Sequence, residues 1–404
     1  MPMSPSFTAV LADADLCVKC GLCLPHCPTY RLTPHEAEGP RGRIALAQGL
    51  LGGTLPASTS LNAHLDGCLS CRACEAVCPA KVPYGRVLDG ARAALATPAR
   101  TRMTRVMGFV LGQRGVRSLL RLALWSLSRL LDRGTPRLPG TPPQVRAGIL
   151  KLLSYRPVVL RLRPVRAAAT ARVALFSGCV GDIAERAVLH DAVRLLQAAG
   201  VDAAIPPAQG CCGALHQHGG LPDAARACAQ RNARAFAGCD SVLPLATGCG
   251  AALRDLGREA SANAPALAPK VRDLCTALAD ALDAKAVAFS PLPKRVGIHT
   301  ACTQANVFAA GDAVRRLLAR IPGIELIDLA PASGCCGAAG TAFITQPAQA
   351  DALRAPKLAA AAAVDLVVSA NIGCSLHLLA GLRQQGRAIP VLHPVSLLAQ
   401  ALKN

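Results

Sequence analysis

The sequence predicts an α+β multidomain chain: an α-helical N-terminal domain dense in cysteine, then a duplicated α/β module with parallel-sheet character. Three observations predict it. The run Cys17-x2-Cys20-x2-Cys23-x3-Cys27-Pro28 recurs as Cys68-x2-Cys71-x2-Cys74-x3-Cys78-Pro79, both within the first 80 residues. Farther on, Cys179, Cys211, Cys212 and Cys249 match Cys302, Cys335, Cys336 and Cys374 at offsets of 123, 124, 124 and 125 residues. Landmarks held in register over such a period mark duplication. Within each copy, short β-like apolar runs alternate with helical patterns, which argues for α/β units on a parallel sheet.

Composition sets the outer limits. At 404 residues the chain should form two or three domains. Half of it is hydrophobic (52%) and little is aromatic (3%), so core material is ample and a disordered chain is excluded. Residues 1–16 hold no Lys or Arg and no long apolar run, so no signal peptide is expected. Nineteen cysteines in a chain expected to stay in the cytoplasm point to metal or redox chemistry rather than disulfides. No uncharged apolar stretch is long enough for a membrane span. The net charge of +20 is concentrated: from Arg100 to Arg172 there are 16 basic residues and one acid, Asp132. That block lacks interleaved aromatics, so no nucleic-acid partner is expected.

Residues 1–97 are read as a helical ferredoxin-like domain. Cysteines spaced by two residues let a short loop wrap one corner of a [4Fe–4S] cube and offer three thiolates. The fourth, followed by a proline that turns the chain away, reaches the other cluster in two-cluster ferredoxins. The expected ligand sets are Cys17, Cys20, Cys23 and Cys78 for one [4Fe–4S] cluster, and Cys68, Cys71, Cys74 and Cys27 for the second. Zinc is the alternative, but its sites favour two well-separated Cys-x2-Cys pairs. Between the runs, Pro40 should open a helix that Gly52-Gly53 closes, and Ser58 or Ser60 should cap a shorter one. After Pro83, Val87, Leu88, Ala91, Ala94 and Leu95 keep helical spacing. Arg41 and Arg43 either stand near a cluster and favour its reduced form or decorate a solvated helix end.

Residues 98–170 are read as a basic connector. Val106 to Leu131, with Trp125, has the pattern of a basic amphipathic helix, suited to an anionic membrane surface, a partner or its own protein. Pro136, Pro139, Pro142 and Pro143 then mark a linker. The two modules follow at 171–290 and 291–404. Each opens with a strand-like run ending in cysteine, Val173 to Cys179 and Val296 to Cys302, passes a Cys-Cys-Gly, and closes on Cys249 or Cys374. The cysteines fall at strand ends, where parallel sheets place ligands. Cys228, Cys239 and Cys275 lie outside this register and are read as small buried hydrophobes. His216, His218, His299, His377 and His393 flank the cysteines, and an imidazole hydrogen-bonded to a cluster would raise its potential. Of these, His377 is the favoured one, three residues beyond Cys374.

The duplicated Cys…Cys-Cys-Gly…Cys arrangement resembles the cysteine-rich "CCG" domains of heterodisulfide reductases and their relatives. Joined to a two-cluster ferredoxin domain, it resembles the iron–sulfur subunits of glycolate oxidases. Cys27-Pro-Thr-Tyr30, Gly39-Pro-Arg-Gly-Arg-Ile44, Cys68-Leu-Ser-Cys-Arg-Ala-Cys74, Gly210-Cys-Cys-Gly-Ala214, Thr247-Gly-Cys-Gly250, Cys335-Cys-Gly-Ala-Ala-Gly-Thr341 and Ala370-Asn-Ile-Gly-Cys374 carry the resemblance. It implies FAD-binding partner subunits that oxidise glycolate, with this chain passing electrons towards a quinone pool. The expected localisation is cytoplasmic, with a peripheral place on the cytoplasmic face of the inner membrane as the option the basic connector leaves open. One departure stands out. The full motif ends in Cys-x2-Cys, and here the first of those positions is Ala246 in one module and Asn371 in the other. Four thiolates remain in each: Cys179, Cys211, Cys212, Cys249, and Cys302, Cys335, Cys336, Cys374. Each set suffices for a further centre, alone or completed by Asn, His or water; the alternative is a reduced thiol cluster.

Three functions compete. The first is an electron-transfer subunit, favoured because no G-x-G-x-x-G follows a strand and no Walker loop occurs, so flavin chemistry belongs to a partner. The second is a thiol–disulfide enzyme, which the missing cysteines disfavour. The third is a partner-binding scaffold. Iron–sulfur subunits of lactate and anaerobic glycerol-3-phosphate dehydrogenases are the nearest substrate alternatives.

Overall fold

The computed structural model describes residues 5–113, 115–120, 122–123, 171–259, 266–329 and 334–403. Trp125, the expected helix beyond residue 123 and the proline-rich linker lie outside the described residues. The N-terminal part contains α1 (Pro5–Asp15), α2 (Pro28–Leu32), α3 (Pro40–Leu51), α4 (Thr59–Asp66), α5 (Ala73–Ala76), α6 (Tyr84–Ala94) and α7 (Pro98–Gly112). Pro28 and Pro40 occupy first helical positions, where the missing N–H is not needed. Ser58 caps α4 by accepting from the Leu61 N–H at 3.2 Å. Ala14, Ile44, Leu65, Val87, Leu88 and Ala91 meet in a core between α1, α3, α4 and α6. This small core holds the two cysteine loops.

The first module runs β1 (Val173–Phe176), α8 (Cys179–Ala184), α9 (Arg186–Ala198), β2 (Ala203–Ala204), α10 (Ala214–His218), α11 (Pro222–Ala235), β3 (Ser241–Pro244), α12 (Thr247–Glu259) and α13 (Leu274–Ala284). The second runs β4 (Arg295–Ile298), α14 (Cys302–Asn306), α15 (Ala313–Leu318), β5 (Glu325–Asp328), α16 (Ala342–Thr345), α17 (Pro347–Ala360), β6 (Leu366–Val368), α18 (Ile372–Gln384), β7 (Val391–Leu392) and α19 (Pro394–Ala401). Both sheets are parallel, in the orders β2-β1-β3 and β5-β4-β6-β7. In the first module a single parallel bridge, Val242 to Val271, stands where β7 stands in the second.

The modules pack through equivalent helices used reciprocally: α9 lies on α19, and α13 lies on α15. Leu189, Val193, Leu196, Leu278, Leu282, Val314, Leu317, Leu318, Val395 and Leu398 fill that seam. The arrangement is the intrachain counterpart of a two-fold dimer interface. Polar ties fasten the N-terminal part to both modules: the Arg72–Asp255 ion pair, Asn306 Nδ2 donating to the Cys71 carbonyl (2.8 Å), Gln349 Nε2 donating to the Gly67 carbonyl (2.9 Å) and the His218–Asp89 pair (2.8 Å). Among the described residues no helix is long and apolar enough to cross a membrane.

Candidate metal centres

The two N-terminal loops are built alike. Lys19 and Gly21 flank Cys20 with φ of 54° and 85°, and Ser70 and Arg72 flank Cys71 with φ of 48° and 63°. Left-handed residues interleaved with ordinary ones turn successive N–H groups inward, forming a nest for an anionic group. The Ser70 N–H already points at Cys68 Sγ, 3.5 Å away. Cys17, Cys20, Cys23 and Cys78 line one pocket, with Cys74, Arg41 and Tyr84 around it. The structure thus brings the fourth cysteine of the second run to the first three of the first run.

The other four expected ligands also gather. Burial pushes the Cys71 and Cys74 thiols well up, and the nearness of Cys68 and Cys27 adds to it. Tyr84 Oη donates to Cys68 Sγ at 3.4 Å, and Cys27 Sγ sits 3.2 Å from Thr29 Oγ1. Beneath them lies Arg43, only 1% exposed. Its guanidinium donates to Thr29 Oγ1 (2.8 Å), the Glu38 carbonyl (2.7 Å), the His64 carbonyl (2.7 Å) and Glu38 Oε2 (2.5 Å). Arg43 is therefore a fixed cation within reach of Cys27 and Cys68, not a solvated helix end. Arg41 is more open, paired with Glu36 at 2.6 Å beside the first pocket.

The Cys-Cys-Gly motifs have a local explanation. Gly213 and Gly337 hold φ of 93° and 85°. A Cβ on Gly337 would lie 2.6 Å from the Ala350 carbonyl oxygen, and one on Gly213 would lie 3.1 Å from that of Ala225. Left-handed geometry under a close helix admits only glycine. The turn aims each glycine N–H at a thiol: Gly213 at Cys211 Sγ (3.5 Å) and Gly337 at Cys335 Sγ (3.4 Å).

In the first module Cys179 Sγ lies 3.8 Å from Cys211 Sγ, and Cys212 neighbours both Cys211 and Cys249. In the second, Cys302 neighbours Cys335, and Cys336 neighbours Cys374. Both quartets line one cavity of about 1330 Å³ that also reaches Cys68. Cys71 abuts Cys335, with Leu69 and Leu353 packed around them.

The two positions that lack the motif's cysteine face each other across the junction between modules. Ala246 packs on Ile372 and Leu376. Asn371 Oδ1 accepts from the Gly248 N–H (3.2 Å) while its Nδ2 donates to Cys374 Sγ (3.3 Å). The Thr247 N–H donates to the Ala370 carbonyl at 3.1 Å, and Thr247 and Thr303 hydroxyls meet at 2.8 Å. Asn371 thus stitches the modules together at the place where a ligand is missing.

Two residues outside the expected sets join the sulfur groups. Cys228, on α11, sits against Cys211, so it is more than a packed hydrophobe. His299, buried at the end of β4, has a ring nitrogen within 4.8 Å of both Cys336 Sγ and Cys374 Sγ. Cys228 carries no motif signal and only the fold reveals it; His299 is one of the five flanking histidines the sequence offers, and the fold singles it out. The favoured His377 instead hydrogen-bonds the Ala350 carbonyl at 3.1 Å through Nε2. His393 caps α19 and bonds the Leu245 carbonyl, and burial lowers its pKa to about 4. His218 pairs with Asp89, and the His216 ring packs on Gly108 of α7.

The donor sets suit iron–sulfur clusters: thiols gathered in fours, N–H nests facing them and a buried arginine beside one set. Raised thiol pKa values are no obstacle, because metal binding displaces the protons and makes affinity pH-dependent. Comparison with known proteins agrees. Residues 13–82 match the 4Fe-4S dicluster domain, and residues 173–254 and 296–379 each match the cysteine-rich domain. The chain is therefore an iron–sulfur protein assembled from one dicluster domain and two cysteine-rich domains.

It is 32% identical to the probable glycolate oxidase iron-sulfur subunit of Bacillus subtilis, over 95% of this chain and 93% of that protein. It is 31% identical to the glycolate oxidase iron-sulfur subunit of Escherichia coli, over 100% of this chain and 98% of that one. Lactate utilization protein A of Geobacillus kaustophilus is 30% identical over 56% of this chain and 98% of that protein. The chain belongs to the family of glycolate oxidase iron–sulfur subunits, and such a subunit works within a multi-subunit complex.

Proposed function

We propose that this chain is the electron-transfer subunit of a flavin-dependent complex that oxidises glycolate to glyoxylate and passes electrons towards a quinone. The observation that carries the reading is the unbroken succession of thiol groups from surface to interior. It starts at the exposed Cys20, passes Cys74 to Cys71, and reaches Cys335 and the shared cavity. Bound iron–sulfur clusters supply one-electron steps, which a two-electron flavin donor needs downstream. We assign Cys17, Cys20, Cys23 and Cys78 to one [4Fe–4S] cluster and Cys27, Cys68, Cys71 and Cys74 to another. The Cys179/Cys211/Cys212/Cys249 and Cys302/Cys335/Cys336/Cys374 sets are assigned to further centres.

The residues around these sets do the positioning. Arg43 lends positive charge to the second set, which favours a more negative, reduced state. The exposed apolar residues Leu16 (49%), Val18 (71%) and Leu22 (57%) surround the open end at Cys20, and that face suits the FAD-binding partner. The units of the proposal are residues 1–97, 98–170, 171–290 and 291–404. Full-length similarity to glycolate oxidase subunits, against a match to lactate utilization protein A over 56% of the chain, favours glycolate over lactate.

The test is to purify the chain with its co-expressed flavoprotein partners and to follow cluster reduction on adding glycolate, lactate or glycerol 3-phosphate. Reduction by glycolate alone supports the reading. Reduction by lactate alone, or an iron content of about four or fewer, overturns it.

A further inference from the structure

The two modules arise by duplication, yet they differ at one buried position beside the thiols. Val173 to Cys179 aligns with Val296 to Cys302 without a gap, so Phe176 of the first module corresponds to His299 of the second. Phe176 is a plain core residue, fully buried, with its ring 6.1 Å from that of Phe236. The fold therefore accepts an apolar ring here and has no structural need of an imidazole.

His299 is 1% exposed. Its backbone N–H donates to the Val368 carbonyl at 2.9 Å, which locks it at the sheet's end. Its Nε2 is buried with no hydrogen-bond partner among the described residues. A buried ring nitrogen left unpaired is costly and calls for a partner. The potential ligand atoms of His299, Cys336 and Cys374 all lie within 4.8 Å of one another, the spacing of a metal-binding set. Asn371, at the position that lacks the motif's cysteine, is committed to the Gly248 N–H and to Cys374 Sγ. The first module has a different supplement, the extra thiol Cys228 against Cys211; the second has no cysteine in the matching stretch Ala350–Leu353.

We propose that His299 is a nitrogen ligand to iron in the second cysteine-rich module, completing the set formed by Cys302, Cys335, Cys336 and Cys374. The proposal rests on the reading that this module holds an iron–sulfur centre. Where the full motif would supply a fifth thiolate, a neutral imidazole leaves the centre one charge less negative. Its potential then rises, as it does where histidines replace cysteines on one iron of a Rieske centre. The two modules, alike in fold, hold centres of different ligation, and the second is the more easily reduced.

The experiment is anaerobic reconstitution of the full-length chain with 57Fe and sulfide, followed by iron analysis and Mössbauer spectroscopy. The wild type should show one iron site with nitrogen-type parameters. His299→Cys should convert that site to a thiolate-like one without loss of iron and lower the centre's midpoint potential. His299→Phe, which copies Phe176, should lose the site. Absence of a nitrogen-type site in the wild type, or its persistence in His299→Phe, overturns the proposal. If His299→Phe fails to fold, the wild-type spectrum and His299→Cys decide the matter. Iron stopping at about eight per chain would overturn both the inference and the module centre it rests on. A higher content with purely thiolate-like sites would overturn the histidine alone.

Discussion

Glu185 should make the stability of this protein fall as pH rises through neutrality. The residue sits between α8, which carries Cys179, and α9, which packs against the second module. Its side chain is buried, and both carboxylate oxygens lack a hydrogen-bond partner among the described residues. Burial alone lifts its pKa from 4.5 to about 8. In the unfolded chain the carboxyl ionises near 4.5, while the folded protein keeps the proton until about pH 8. The folded state binds more protons throughout that window, so stability declines with rising pH across it and levels off above. At about 1.4 kcal/mol per pH unit, the total is roughly 5 kcal/mol. Glu185→Gln removes the titration and keeps the shape. Urea midpoints of the cluster-loaded chain, wild type against Glu185→Gln, should diverge between about pH 5 and pH 8, with the variant the more stable at the alkaline end. A difference that stays constant with pH, or a wild type more stable at pH 8, would refute the reasoning.

The remaining predictions concern the thiol groups and their supports. Cys27→Ser should damage the centre shared with Cys68, Cys71 and Cys74 and spare that of Cys17, Cys20 and Cys23; spectroscopic damage to the latter would show that the ligand sets are not crossed. Arg43→Met removes the cation but leaves Glu38 and Thr29 behind, so it should cost about 3–5 kcal/mol, as expected for breaking a buried ion pair. It should also lower the potential of the adjacent centre, read by redox-poised EPR; Arg43→Lys, lacking the planar fork, should recover only part of each loss. Asn371→Ala deletes the link to the Gly248 N–H and should cost about 1–3 kcal/mol at the junction between modules, seen as a lower melting temperature.

The cysteine runs disclosed most of the candidate site because their spacing is a geometric requirement: a loop that wraps a cube corner needs its thiols at those intervals. The duplication was legible for the same reason. Glycines at 213 and 337 sit where only a left-handed residue under a close helix fits, and that need holds the motif in register in both copies. What stayed hidden is contact between elements far apart in sequence. Cys228 meets Cys211 only because α11 folds back over the motif, and no periodicity marks it. Helical spacing favoured His377 as a partner of Cys374, yet its Nε2 bonds the Ala350 carbonyl, while His299 comes to the thiols from the end of a strand. Arg43 was equally compatible with a solvated helix end, since nothing local to Gly39–Ile44 tells that α4 will close over it.

On the proposed ligation, position and side chains together would give the interior centres an order. A strictly symmetric pair would offer equal potentials, and a symmetric approach would give electrons no preferred side. The N-terminal domain breaks that symmetry by placing Cys71 against Cys335, so the second module is the one its inner thiol group meets. The side chains then reinforce the bias. His299 stands in the second module where Phe176 stands in the first, and Cys228 stands against Cys211 in the first alone. On the ligation proposed above, a neutral nitrogen would raise the potential of the centre that lies next to Cys71. Under that proposal, electrons leaving the N-terminal domain would be drawn first to the second module, which Asn371, bonded to both Gly248 and Cys374, holds against the first.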